Sequence, residues 1–136
     1  MVYKKTWKYI LFKDKSYWCN KSTYYRLRAI RNFSNIKKGD SGGYVKGYYY
    51  NLSHKGNCWI YDYALVGDLA QITDNAIVEG DARVFGNAKI SENARVSDFA
   101  SVYGEVQVLG NAWIKDFAQV HSNIIVKGDS VIRNDI

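Results

Sequence analysis

Two histidines, two cysteines and a glycine-flanked serine are the residues of this 136-residue chain whose types could carry covalent or metal chemistry. Ser41 lies in Gly39-Asp40-Ser41-Gly42-Gly43, but a nucleophilic serine needs a histidine base held by a buried carboxylate. Both histidines, His54 and His121, come after it in a short chain, so the segment is read as a glycine-rich bend leading into the repeats. Its consecutive amides could cradle an anion beside Lys46, although no phosphate-loop spacing is present. Two histidines do not fill a three-histidine zinc set, and no metal or cofactor is expected. Cys58 and Cys19 are read as plain buried or half-buried thiols. No catalytic residue is assigned.

A different chemistry is written into residues 1–57, where thirteen Lys/Arg face only Asp14 and Asp40, a balance of +11. Residues 58–136 hold six Lys/Arg against eleven Asp/Glu, a balance of −5, so the net +6 conceals two opposite halves. Nine of the twelve tyrosines, with Trp7, Trp18, Phe12 and Phe33, sit in the basic part. Cations interleaved with rings suit nucleic acid, because cations neutralise phosphates while ring faces stack on bases. The candidate residues for a nucleic-acid or acidic partner are Lys4, Lys5, Lys8, Lys13, Arg26, Arg28, Arg31, Lys37, Lys38 and Lys46. The same composition also suits a cap whose rings form its core and whose lysines keep it soluble.

The elements that must position these residues follow from a period of six. Thirteen consecutive hexapeptides run from Cys58 to Asp135, each with Val or Ile third, from Ile60, Val66 and Ile72 to Ile132. The first position is Ala nine times, from Ala64 to Ala118, and Cys58, Val106, Ile124 or Ser130 otherwise. First and third residues share one side of a short strand and face inward, while second and fourth face solvent. Fifth and sixth positions are rich in Gly, Asn and Asp, which tolerate the backbone of a tight corner. Such a fixed period reads as an all-β solenoid.

Two modules are therefore expected: a basic, aromatic, β-rich capping module over 1–57 and the repeats over 58–136. In the first, Trp7–Phe12 is expected to pair with Tyr17–Asn20 across an Asp14-Lys15-Ser16 turn, with Tyr25–Ala29 as a third strand. A solenoid exposes strand edges at its ends, so this segment is expected to cap the first coil. Outward apolar columns form a candidate interface. One face carries Trp59, Ile77 and Trp113 and its corner Tyr63, Phe99 and Phe117, while Phe85, Tyr103 and His121 stack at 18-residue spacing on another. No apolar run is long enough for a membrane span and none after Met1 resembles a secretory signal, so a cytoplasmic setting is expected.

Hexads such as Val66-Gly67-Asp68-Leu69-Ala70-Gln71 and Val84-Phe85-Gly86-Asn87-Ala88-Lys89 resemble the hexapeptide-repeat proteins that fold as left-handed parallel β-helices. With three hexads to a triangular coil, that resemblance implies about four coils and a prism roughly 20 Å tall. The stretches Tyr25–Ile30, Gly39–Tyr44, Asn51-Leu52-Ser53 and Gly56–Ile60, in that order, are further similar to a family of small phage and prophage proteins, over residues 24–136. Members are often labelled transferases by fold analogy, which does not establish chemistry. The resemblance implies a non-enzymatic accessory protein in the host cytoplasm that occupies a host protein or nucleoprotein complex. Its most concrete form, which rests on the +11 module as well, is a counter-defence, anti-CRISPR-like inhibitor that binds a host nucleoprotein effector through the basic module or a prism face, with RNA or DNA as a candidate ligand of that module and homo-oligomers expected through prism faces. Two alternatives stay open: a trimeric acyltransferase using His121 as base, and a structural phage component.

Overall fold

The computed structural model describes residues 6–19, 22–46 and 50–134, with only the backbone of 13–19. The described chain is all-β, a parallel β-solenoid of about five turns. Among the described residues no helix is long and apolar enough to cross a membrane. After β1 (Tyr9–Cys19), β2 (Ser22–Ala29) and β3 (Ser41–Val45), thirteen two-residue strands follow the hexads, from Trp59–Ile60 to Val131–Ile132. Residues 18 apart stack in parallel register, as in Ile60↔Val78, Val66↔Val84 and Ile72↔Ile90.

The interior is the two inward columns. Every third-position Val or Ile from Ile60 to Val120 is fully buried, and the first-position alanines are at most 1% exposed. Large and small side chains alternate around each turn, which suits close packing in a narrow triangular bore. Burial fades only at Ile124, Val126 and Ile132 in the last rungs.

Corners are made at the fifth position. All twelve such residues from Asp62 to Gly128 have positive φ, seven of them non-glycine: Asp62, Asp68, Asp74, Glu92, Asp98, Asp116 and Ser122. Aspartate tolerates this conformation, and here its carboxylate has a second task. Asp62, Asp68, Asp74, Glu92 and Asp98 each accept the backbone N–H of the fifth residue one turn on, at 2.9–3.1 Å. Much of the acidity of the repeats is thus corner architecture.

The first turn begins earlier than the hexads suggest. Val45 of β3 pairs with Val66, and Leu52 bridges to Ile72, so both act as rungs of a turn preceding Ile60. Their spacing hides them, because Leu52 follows Val45 by seven residues and precedes Ile60 by eight. This accounts for about five turns where the hexad count implies about four.

Within the N-terminal segment, the expected turn at Asp14-Lys15-Ser16 is not one. β1 runs continuously through it and pairs antiparallel with β2, from Tyr9↔Ala29 to Cys19↔Ser22, with the register shifting between Phe12 and Tyr17. The polar stretch is absorbed as an irregularity in a long strand. The glycine-rich stretch is likewise a strand, not a bend. Gly42 and Gly43 lie inside β3, and a Cβ on Gly42 would come within 2.7 Å of the Trp59 ring and the Ile60 carbonyl. The turn precedes them, with Gly39 at φ 98° and the Asp40 carboxylate accepting the Lys37 amide.

Capping of the first turn is specific. Within the repeats, each first-position carbonyl accepts the second-position amide of the turn before, as Ala76 does from Trp59 and Ala82 from Leu65. At the start of the repeats the equivalent acceptors are Cys58, Ala64 and Ala70. The Ala64 carbonyl takes the backbone amide of Tyr44 at 2.9 Å, that of Ala70 the side-chain amide of Asn51 at 2.8 Å, and that of Cys58 the Lys8 ammonium at 2.7 Å. Lys8 and Asn51 are both fully buried. Replacing Lys8 with Ala strands a buried carbonyl and opens a void. An expected loss of about 3 kcal/mol, read by urea denaturation, compares with no measurable change for the exposed Lys46→Ala.

Candidate nucleic-acid interface

β1, β2 and β3 extend one prism face into a seven-stranded sheet. Alternation along the strands sends Tyr9, Leu11, Leu27, Ala29 and Val45 inward, all of them buried. The cross-strand register places the other set in a row: Phe12↔Arg26, Arg26↔Tyr44, Tyr44↔Leu65, Leu65↔Arg83, Arg83↔Ser101 and Ser101↔Gln119. Beside it lies Ile10↔Arg28. The outer face of this sheet therefore carries guanidinium groups among rings at one residue per strand.

The cations and rings are in direct contact. Arg26 lies over Tyr44 at 5.0 Å and Tyr63 at 5.5 Å, and donates from Nη1 to Tyr44 Oη at 3.0 Å. Arg28 lies over Phe12 at 5.4 Å. Neither has a carboxylate partner among the described residues, where the ion pairs are Arg95–Glu79 and Arg133–Asp116. Lys38 shares a surface hollow with Ile10 and Arg28, and Lys37 and Lys46 are exposed on the adjoining turn and strand end. A cation over a ring keeps its outer N–H groups available, which suits an anion arriving from solvent.

The remaining basic candidates separate from this face. Lys8 is no surface cation: besides the Cys58 carbonyl, its ammonium contacts the Gly56 carbonyl at 3.3 Å, Cys58 Sγ at 3.4 Å and the Phe33 ring at 4.9 Å. Burial lowers its pKa from the ordinary lysine value, against an opposing pull from Cys58, whose own pKa burial raises. Arg31 donates to the His54 carbonyl at 3.2 Å. Lys4 and Lys5 lie outside the described residues, as does the Lys13 side chain.

Trp59 is a second correction. Its position is an outward one, but β3 covers it through Gly42, and Phe33 and Tyr9 meet its ring edge-on, so it is fully buried. Its indole N–H has no hydrogen-bond partner among the described residues. Phe99 and Phe117 stack at 5.2 Å and are 56% and 67% exposed, and Tyr63 is 67% exposed. Tyr103 stacks on His121 at 5.2 Å, whereas Phe85 meets Tyr24 edge-on. His121 Nδ1 is 2.9 Å from Ser122 Oγ. Ile77 is half-buried, and Trp113 is held by Arg95, Lys115 and a hydrogen bond to Ser97 Oγ. Among the described residues no group of three His, Cys, Asp or Glu side chains is placed to hold a metal ion.

Sequence reasoning missed Arg83, Tyr44 and Phe12 on the sheet face. Their signal was register: once Val45 is recognised as a rung, Tyr44 and Arg83 fall into the outward row with Arg26. It also missed His54, which stacks on Tyr9 at 4.1 Å and accepts the Lys8 backbone N–H through Nδ1 at 2.8 Å. That bond fixes the neutral tautomer with its proton on Nε2. No protein-family model matches the chain, and no curated protein is significantly similar to it.

Burial, then the charges of Lys8 and Arg31, push the His54 pKa down to about 4. Between about pH 6.5 and pH 4 the unfolded chain therefore holds a proton that the folded chain excludes. Stability is expected to fall as pH drops through that window. The loss attributable to His54 appears as the difference between the pH-dependent melting curves of the wild type and His54→Gln, which should converge toward pH 4.

Proposed function

We propose that the protein is a non-enzymatic binding protein whose outer sheet face engages single-stranded nucleic acid, or the nucleic-acid-bearing surface of a host nucleoprotein effector. A counter-defence inhibitor that occupies such an effector is the concrete form of this reading. The observation that carries it is the placement of Arg26 and Arg28, without carboxylate partners among the described residues, against Phe12, Tyr44 and Tyr63 on one solvent-facing sheet. A cap needs only its inward rings, and Tyr9, Leu11, Leu27 and Val45 already supply that packing. The outward cations are surplus to it. The exposed Phe99–Phe117 stack on the neighbouring corner is the surface proposed for self-association.

Phosphate contacts release counterions, so affinity for short single-stranded RNA should fall steeply as salt rises. Arg26→Ala and Arg28→Ala should each weaken binding about tenfold and reduce the salt slope by about 0.7, in fluorescence anisotropy at several ionic strengths. Absence of oligonucleotide binding at low salt, together with failure to capture any nucleoprotein complex in a nuclease-controlled pull-down, would defeat the reading. Acyl-coenzyme A turnover abolished by His121→Ala would replace it with an enzymatic one.

A further inference from the structure

Between the N-terminal strands and the first turns, the sheet face holds a cleft of about 320 Å³ lined by Tyr44, Tyr63, Leu65, Asp81 and Arg83. Leu65, which is only 2% exposed, supplies an apolar element of the lining. Tyr63 projects from the corner with 67% of its surface exposed, and Arg26 lies against its ring. Asp81 lies one turn on from Tyr63 in the same corner column and is exposed. Unlike the corner acids that close amides, its carboxylate has no hydrogen-bond or ion-pair partner among the described residues. The cleft is at the small end of ligand pockets.

We infer that this cleft is a subsite for one unpaired purine base, with guanine preferred, and that Arg26 and Arg83 face the phosphates flanking it. The inference rests on the proposed nucleic-acid reading and adds base selectivity to it. A base is a flat apolar body with a polar rim, and the cleft offers a matching set of groups. Tyr63 gives a ring for stacking, Leu65 an apolar contact and the guanidinium groups positive charge for phosphate. Asp81 decides among bases, because a carboxylate only accepts hydrogen bonds. Guanine presents two adjacent donors on its Watson–Crick edge, N1–H and the N2 amine, which one carboxylate can accept together. Adenine and cytosine present one amine there, beside a ring nitrogen that repels the carboxylate. Uracil presents a single N–H between two carbonyl oxygens. Asp81 also opposes a bare phosphate, so the cleft favours a base over an inorganic anion.

The test uses the full chain and uridine oligoribonucleotides carrying one guanosine, one inosine or neither, with affinities from fluorescence anisotropy. The guanosine oligomer should bind about tenfold tighter than the uridine one, with inosine between them. Asp81→Ala should bring the three to parity, and Tyr63→Ala should weaken the guanosine oligomer about tenfold. Both variants lie at exposed corner positions, and circular dichroism checks that they fold. Equal affinity of the wild type for the three oligomers overturns the subsite. So does a guanosine preference that survives Asp81→Ala. Loss of binding in Arg26→Ala with no effect of Tyr63→Ala removes the subsite and leaves the sheet reading standing, whereas no binding of any oligomer removes both.

Discussion

A stack of parallel turns bonds each turn to the next through amides and carbonyls, and the first turn of hexads is left with acceptors that no preceding hexad can satisfy. A buried carbonyl without a donor costs about 1–3 kcal/mol, so the start of the solenoid must be closed. Much of the N-terminal segment can be understood from that requirement. β3 closes one face with backbone amides, Asn51 a second with its side-chain amide, and Lys8 the third with an ammonium group. Three chemically different donors do the work that second-position amides do in the repeats.

Closing the end has consequences for the surface. β3 must lie along the Leu65–Val66 edge, which carries β2 and β1 into the same sheet and fixes which residues turn outward. It also passes over Trp59, which requires glycine at 42 and buries a tryptophan in an outward column. The row of Arg26, Tyr44 and Arg83 follows from the register that satisfies the first turn. The cap and the candidate interface are two faces of one sheet.

The repeats were legible because a six-residue period with branched and small residues two apart has one geometric solution, and Ile60 to Val120 are buried accordingly. The extra first turn was not legible, since Val45 and Leu52 sit at irregular spacing and pair through tertiary contact alone. Of the basic candidates, Arg26 and Arg28 could be assigned to one face by alternation. Lys8 could not be told from its neighbours, because nothing local marks a lysine as a donor to a carbonyl fifty residues away. Trp59 misled for the same reason: its parity is outward, but a distant strand covers it. The acidity of the repeats, which suggested a functional contrast with the basic half, has a local cause in corners where a carboxylate accepts the next turn's amide.

We propose that the sheet face created by closing the first turn of hexads contacts nucleic acid. Photo-crosslinking of the protein to single-stranded RNA, with the attached residues located by mass spectrometry, tests it most directly. Crosslinks are expected at Tyr44, Tyr63 and Phe12, on the outer face of β1–β3 and the adjoining corner. Crosslinks confined to the last rungs, around Trp113 and His121, would contradict it.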